Sequence, residues 1–127
     1  MYYIGIDLGG TNIAAGIVTE EGKIVVKDSV PTLSERPTDE IVADMASLAK
    51  KLIAESGLNI TEFSSVGIGC PGTIDSKFGE VVYSNNIPME HYPMAQRFKE
   101  HLNLPVIIDN DANCAAIGEI TAGAGDG

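Results

Sequence analysis

Residues 2–18 read YYIGIDLGGTNIAAGIV, and this stretch decides the fold because two glycines and a hydroxyl interrupt two apolar runs. Val, Ile and Tyr favour a pleated strand, whereas Gly9 and Gly10 permit positive φ and leave the backbone amides without side-chain cover. The pattern predicts two antiparallel strands joined by a tight turn over residues 7–11. A ligand can come close to the backbone of such a turn.

A third strand and a helix follow this pair. The run KIVVKDS over residues 23–29 predicts the third strand. Thr38 is placed to cap a helix, and Gly57 is placed to end it in the left-handed conformation. Between them, apolar residues recur at helical spacing and predict a helix that covers one face of the sheet: Ile41, Met45, Leu48 and Leu52.

The second half of the chain alternates strands with helices. FSSVGIGCPG (63–72) and LPVIID (104–109) are short, nearly continuous apolar runs that are typical of buried parallel strands. A small hairpin, TIDSKFGEVVYS (73–84), is inserted after the first of them. One helix is predicted from Pro93 to a left-handed cap at Asn103, and another begins at Asn110.

The resulting order is strand, strand, strand, helix, strand, helix, strand, helix. The first three strands are predicted to be antiparallel, and the last two join the sheet as parallel strands through right-handed helical crossovers. The order therefore predicts a mixed five-stranded sheet. This is an α/β fold of the ribonuclease H-like kind. The glycine-rich end, TAGAGDG, has the composition of an interdomain hinge. We therefore expect one lobe over residues 1–121 and a hinge over 122–127, with no second lobe in this chain.

Composition excludes several classes of function. The chain has 127 residues, enough for one domain, and its 18 acidic against 8 basic residues give a net charge of -10, which disfavours a nucleic-acid partner. The apolar runs fall far short of the roughly 20 residues that a membrane span needs, and Met1 leads into a strand without a basic leader. Cys70 and Cys114 match no metal or redox spacing. We expect a cytoplasmic protein with reduced core thiols.

Three motifs carry a resemblance to a known family. GIDLGGTNIAAGIV, GIGCPGTID and IIDNDANCAAIGE resemble, in order and spacing, the amino-terminal lobe of the ROK sugar kinases, typified by bacterial ATP-dependent glucokinases. Each motif alone is modest evidence, but three in the right order on the predicted elements are specific. The resemblance spans essentially the whole chain. It implies the actin-like fold of two such lobes, with the active site in the cleft between them.

The resemblance implies that the first motif binds the phosphates of ATP. It places Asp7 near a Mg²⁺ ion and Gly9, Gly10, Thr11 and Asn12 near the phosphoryl groups. Phosphoryl transfer needs amides and a metal that position the phosphates and neutralise charge, which a glycine turn supplies. The alternative is that the glycines only make a tight hairpin that Asp7 caps. A dinucleotide-binding loop is excluded because no G-x-G-x-x-G opens a helix here.

The third motif contains DNDAN, which begins at the end of the last predicted strand. The resemblance implies that Asp111 is the catalytic base and contacts the sugar, and that Asn110 hydrogen-bonds sugar hydroxyls. Asp109 takes the outer acidic position, where the family more often has Glu. A carboxylate can orient a weakly nucleophilic hydroxyl and accept its proton. The alternative is that Asp111 is an ordinary acid in the first turn of a helix that Asn110 caps.

Two more residues are implied to border the sugar. Gly72 lies in the Pro-Gly turn of the second motif, and the resemblance places its backbone at the sugar. Asn86, in the Asn-Asn pair before Ile87 and Pro88, matches a segment near the sugar pocket, although turn chemistry explains the pair equally well. His91 has no partner at a spacing that suits zinc or a nucleophile, and we expect it, like His101, at the surface.

The function that the resemblance implies is transfer of the γ-phosphoryl group of ATP to a sugar hydroxyl, with the 6-hydroxyl of glucose as the leading acceptor. Mannose, fructose, N-acetylmannosamine and allose stay open. So does a non-catalytic sugar-binding regulator, although the family's repressors carry a helix-turn-helix segment before the first strand. The family's zinc cluster, adenosine pocket and second phosphate loop would lie beyond Gly127, so this portion does not support zinc. We expect the isolated chain to be inactive and to self-associate, for example as a homodimer, through its exposed lobe surface.

Overall fold

The computed structural model describes residues 1–75, 77–84, 87 and 89–110, and of Asn110 only the backbone. Several predictions fall outside these residues. They are the helix after Asn110, the boundary between the lobe and the 122–127 hinge, and the positions of Asn86, Asp111 and Cys114.

Eight strands, two helices and one 3-10 turn make up the described part. In chain order they are β1 Tyr2–Leu8, β2 Asn12–Thr19, β3 Ile24–Pro31, α1 Thr38–Ser56, the 3-10 turn Ile60–Glu62, β4 Phe63–Cys70, β5 Thr73–Asp75, β6 Glu80–Ser84, β7 Met89–Tyr92, α2 Met94–His101 and β8 Val106–Asn110.

The main sheet has five strands in the order β3-β2-β1-β4-β8. β1 pairs antiparallel with β2, and β2 with β3, while the pairs β1-β4 and β4-β8 are parallel. Helix α1 lies in the connection before β4, and α2 lies in the connection before β8. The predicted mixed α/β sheet is therefore confirmed.

The predicted hairpin is also present, but it belongs to a three-stranded sheet in the order β5-β6-β7. The third strand was not predicted. Its sequence, MEHY, has two exposed polar residues between Met89, which is buried, and Tyr92, which is half-buried. A four-residue segment of this kind carries no clear alternation, and its pairing with β6 depends on the chain returning to that edge.

The core lies between the main sheet and the helices. Ile6, Ile68 and Ile108 sit side by side on β1, β4 and β8, and all three are fully buried. They join one cluster with the apolar faces of both helices, which include the four residues predicted for α1 and, for α2, Met94 and Phe98. The opposite face of these strands carries small and exposed residues, such as Gly67 and Ile107.

The helix ends differ from expectation in three places. Pro37, not Thr38, is the cap of α1, because its ψ of 143° is extended while its carbonyl already accepts the Glu40 amide. Pro93 likewise precedes α2 rather than beginning it. Asn103 is not a left-handed cap, since α2 ends at His101 and the residue that caps it, Leu102, has an extended backbone. The left-handed end of α1 at Gly57, with φ of 75°, is confirmed.

Neither helix in the described residues is long and apolar enough to cross a lipid bilayer.

Two neighbouring isoleucines of β8 test which face of the sheet is the core. Ile108 is fully buried, whereas Ile107 is 61% exposed. Ile108→Ala should lower the free energy of unfolding by about 2–5 kcal/mol, because it leaves a cavity between sheet and helices. Ile107→Ala should change it by about 0.5 kcal/mol or less. Urea denaturation of both variants measures the difference, and equal losses would contradict this assignment of the core face.

Candidate functional site

The turn between β1 and β2 is tight and open to solvent. The Gly9 amide donates a hydrogen bond of 3.0 Å to the Asn12 carbonyl. Gly10, Thr11 and Asn12 are exposed, and Asp7 is half-buried at the end of β1. No described residue accepts a hydrogen bond from the Gly10 or Thr11 amide. The turn therefore presents backbone donors to an incoming group, as the sequence predicts.

Gly9 is required in the turn for a different reason than the sequence suggests. Neither Gly9 nor Gly10 has a positive φ. A Cβ atom at Gly9 would instead lie 2.8 Å from the Asn12 carbonyl oxygen, closer than side-chain carbons approach a backbone oxygen. Gly9 is thus required by the close approach of the two strands, and not by left-handed backbone.

Parallel pairing brings one residue of each of the three motifs to one edge of the sheet. Asp7 of β1 is in register with Gly69 of β4, which is in register with Asp109 of β8. Parallel neighbours in register point to the same face, so the two carboxylates flank a residue that has no side chain. Their strands lie two spacings apart, about 10 Å. The carboxyl ends of parallel strands are where open α/β sheets bind ligands.

The Pro-Gly turn of the second motif leaves the same edge from β4, the middle one of the three parallel strands. Gly72 has a φ of 90°, and a Cβ atom there would lie 2.1 Å from the carbonyl oxygen of Tyr83. The turn is thus pressed against the backbone of β6. Gly72 has a structural requirement of its own, and its expected contact with a sugar stays a prediction.

The last strand leads directly to the third motif. Asn110 is still paired with Cys70, so β8 continues one residue farther than predicted. This places the backbone at Asn110 beside the end of β4. Asp111 and Asn86 lie outside the described residues, and their expected roles stay predictions.

Thr32 is the residue that sequence reasoning missed. It lies in the segment PTLSERPT, which reads as an ordinary loop, yet it is fully buried. Its hydroxyl donates a 2.7 Å hydrogen bond to the Gly9 carbonyl, and its amide donates a 2.9 Å bond to the Thr11 carbonyl. No local pattern signals this, because the contact arises where the pairing of β2 with β3 runs one residue beyond Pro31.

Arg36 holds the backbone around Thr32. Its guanidinium donates to the Thr32 carbonyl at 2.8 Å and 3.2 Å, and to the Leu33 carbonyl at 3.2 Å. It also pairs with the Asp44 carboxylate of α1 at 2.7 Å. Leu33 is exposed and has a left-handed φ of 52°, a conformation that an L-residue with a bulky side chain rarely adopts. These bonds connect the open turn to the first helix.

Away from this edge, a groove of about 220 Å³ lies between α1, α2 and β7. Tyr92 donates to the Asp39 carboxylate there, and burial, reinforced by that hydrogen bond and its negative charge, raises the pKa of Tyr92 above its ordinary range. The tyrosine is a donor that stays protonated. None of the predicted site residues lines this groove.

The described residues contain no group of three or more His, Cys, Asp or Glu that could hold a metal ion together. Mg²⁺ differs from zinc in this respect, because proteins usually hold it with one or two carboxylates while phosphate oxygens and waters complete the shell. A single half-buried carboxylate beside an open amide turn, as at Asp7, fits that requirement.

Comparison with known proteins gives one consistent result. The ROK family model matches residues 3–127. A glucokinase of Halalkalibacterium halodurans is 36% identical over 126 residues, which are 99% of this chain and 38% of that protein. An N-acetyl-D-glucosamine kinase of Aliivibrio fischeri is 36% identical, over 94% of this chain and 37% of that protein.

Solved structures agree with the sequence comparison. The crystal structure of a ROK family glucokinase from Streptomyces griseus in complex with glucose and AMPPNP superposes with a TM-score of 0.82 at 37% identity. The superposition covers 98% of this chain and 38% of that one. The chain thus spans little more than a third of the length of these three relatives.

Two glycines with positive φ test how tightly the Pro-Gly turn is packed. Gly57 has open space where a Cβ atom would lie, whereas Gly72 has a backbone oxygen at 2.1 Å. Gly57→Ala should lower the free energy of unfolding by about 1–2 kcal/mol, the cost of the left-handed conformation alone. Gly72→Ala should cost about 1–3 kcal/mol more, because the backbone of β6 has to move. Urea denaturation compares the two, and equal costs would contradict the close packing.

Proposed function

We propose that this chain, which belongs to the ROK family, is the lobe that binds phosphate and sugar in an ATP-dependent sugar kinase. One observation carries the proposal. The register Asp7, Gly69, Asp109 brings an open amide turn and the start of the DNDAN motif to the same edge of the sheet. That edge then offers phosphate donors and carboxylates side by side, as phosphoryl transfer to a hydroxyl requires.

On the phosphate side, the turn supplies the binding groups. The Gly10 and Thr11 amides have no acceptor within the described residues, and Thr11 adds a hydroxyl. We assign them, with Gly9 and Asn12, to the phosphates of ATP. Asp7 is the residue that would hold Mg²⁺, and the ion would neutralise part of the phosphate charge. The amides are preorganised donors, so they stabilise negative charge without rearrangement.

On the sugar side, the residue roles are assigned from the resemblance to the family. Asp111 is assigned as the base that accepts the proton of the attacking hydroxyl, while the γ-phosphoryl group passes to the sugar oxygen and ADP leaves. Asn110, Asn86 and the backbone of Gly72 are assigned to the other hydroxyls. The backbone of Asn110, paired with Cys70 at the sheet edge, is consistent with this arrangement.

Glucose is the leading acceptor because two of the similar proteins cited above are glucokinases. The similarity to an N-acetyl-D-glucosamine kinase makes an N-acetylated hexosamine the second candidate. The 6-hydroxyl is the proposed nucleophile in both cases. Values of kcat/KM for glucose, mannose, fructose, allose and the two N-acetylhexosamines would decide between them. A regulator that binds sugar without turnover is the remaining alternative, and it would show binding but no ADP release.

The relation of this chain to the whole protein is also part of the proposal. We propose that residues 1–121 form one lobe, that residues 122–127 form a hinge, and that a second lobe completes the active site, in a cytoplasmic enzyme. One lobe cannot hold donor and acceptor in line or exclude water between them. The 127-residue chain alone should therefore not turn over ATP. It should also self-associate, for example as a dimer, because the surface that a second lobe would cover is left exposed.

A coupled assay tests this function directly. The longest gene product that contains this chain should release ADP in the presence of ATP, Mg²⁺ and glucose, and the release should stop when either glucose or Mg²⁺ is omitted. The 127-residue chain should show no sugar-dependent release under the same conditions. Binding of glucose without ADP release by the longer protein would overturn the kinase proposal in favour of the regulator.

Asp111→Asn tests the assigned base in the longer protein. Asn keeps the shape of the side chain but accepts no proton, so kcat should fall by about 10²–10⁴-fold while the KM for sugar changes little. Asp28→Asn is the matched control, because Asp28 is a partly exposed acid of β3 that pairs with Lys51. A near-normal kcat in the Asp111 variant would remove this residue from the mechanism.

A further inference from the structure

One buried hydroxyl, that of Thr32, holds the turn that presents the amide donors from the interior of the protein. The Thr32 hydroxyl donates to the Gly9 carbonyl and the Thr32 amide donates to the Thr11 carbonyl, on either side of the exposed Gly10. Thr32 is fully buried, although it lies in a loop between β3 and α1. Few loop threonines are buried to this extent, because a hydroxyl needs a hydrogen-bonding partner once it leaves water. Here the partner is the backbone of the turn itself.

The bond to Gly9 has a directional consequence. A peptide unit is planar and trans, so its N–H points opposite to its C=O. The carbonyl of Gly9 points inward to the Thr32 hydroxyl at 2.7 Å. The N–H of Gly10, which belongs to the same peptide unit, therefore points outward, away from the buried side chain. The amide that we assign to phosphate is aimed by a residue that does not touch phosphate.

Thr32 is itself held in place from the other side. Its carbonyl accepts two hydrogen bonds from Arg36, and Arg36 pairs with Asp44 on α1. Leu33, the next residue, keeps its left-handed φ of 52° while its carbonyl also bonds Arg36. A side chain whose own backbone is fixed at several points can hold a peptide unit in one orientation.

We propose that Thr32 is a positioning residue for phosphoryl transfer, and that its hydroxyl fixes the Gly9-Gly10 peptide so that the Gly10 amide faces the phosphates of ATP. This inference rests on the proposed function. It assigns Thr32 to the phosphate side of the site and not to the sugar side. Loss of the hydroxyl should therefore impair the use of ATP while the affinity for sugar stays unchanged.

Two substitutions separate the hydroxyl from the shape of the side chain. Thr32→Val keeps the shape and removes the donor, whereas Thr32→Ser keeps the donor and removes a methyl group. In the longest gene product that contains the chain, Val should lower kcat/KM for ATP by about 10–100-fold. This is less than the loss caused by removing a preorganised donor outright, because the Gly10 amide is still present but is no longer held in one orientation. The KM for glucose should stay within about twofold, and Ser should restore most of the loss. Thr61→Val is the control, because the Thr61 hydroxyl bonds only the exposed Asn59.

The orientation of the peptide has a readout that does not depend on turnover. In the same protein labelled with ¹⁵N-glycine and without ligand, the Gly10 amide resonance should shift, and the Gly9 amide should exchange with solvent faster, in the Val variant but not in the Ser variant. Circular dichroism and thermal unfolding confirm that each variant is folded before these spectra are compared.

The outcomes distinguish this inference from the function on which it rests. A protein without any sugar-dependent ADP release overturns the proposed function, and the glycine spectra then still decide whether Thr32 orients the turn. Unchanged spectra in a folded Val variant overturn the inference. The inference is also overturned if the Val variant has the same kcat/KM for ATP as the unsubstituted protein. A Ser variant as impaired as Val overturns it as well, because that result would show that packing of the methyl group matters and the hydroxyl does not.

Discussion

Parallel pairing of β1, β4 and β8 is the constraint on which the rest of the molecule depends. It places Ile6, Ile68 and Ile108 in one buried row against the helices, and one residue farther it places Asp7, Gly69 and Asp109 in a second row at the sheet edge. Because side chains alternate across a strand, a register that buries the first row points the second to the opposite face. Core packing and site geometry are thus set by the same hydrogen bonds.

The open turn gains its rigidity from outside its own sequence. Two exposed residues between strands have few bonds of their own, and a mobile donor stabilises charge less than a fixed one because it must be ordered during the reaction. A series of hydrogen bonds and an ion pair runs from Gly9 through Thr32 and Arg36 to Asp44. It holds the turn in place from a neighbouring loop and from α1. The helix therefore contributes to the core and also to the position of the proposed phosphate donors.

Much of the fold could be predicted because its signals are local. Helical spacing of apolar residues located α1, short apolar runs located the three parallel strands, and Gly57 marked the end of the helix as expected. The strand β7 was missed because it has only four residues, two of them exposed and polar, and carries no period that marks a strand. The capping residue of α1 was placed one position too far along, since a proline with extended ψ replaced the expected threonine side chain.

The sequence by itself determined the five strands of the main sheet, the two described helices, the open glycine turn and the three motifs, because each depends on residues that are close in the chain. Only the tertiary structure decided which motifs meet, since that depends on register between strands separated by whole helices. It also showed that Gly9 is required by strand contact and not by positive φ. The role of Thr32 is of the same kind, because a hydroxyl becomes a specific partner only when folding buries it beside one particular carbonyl.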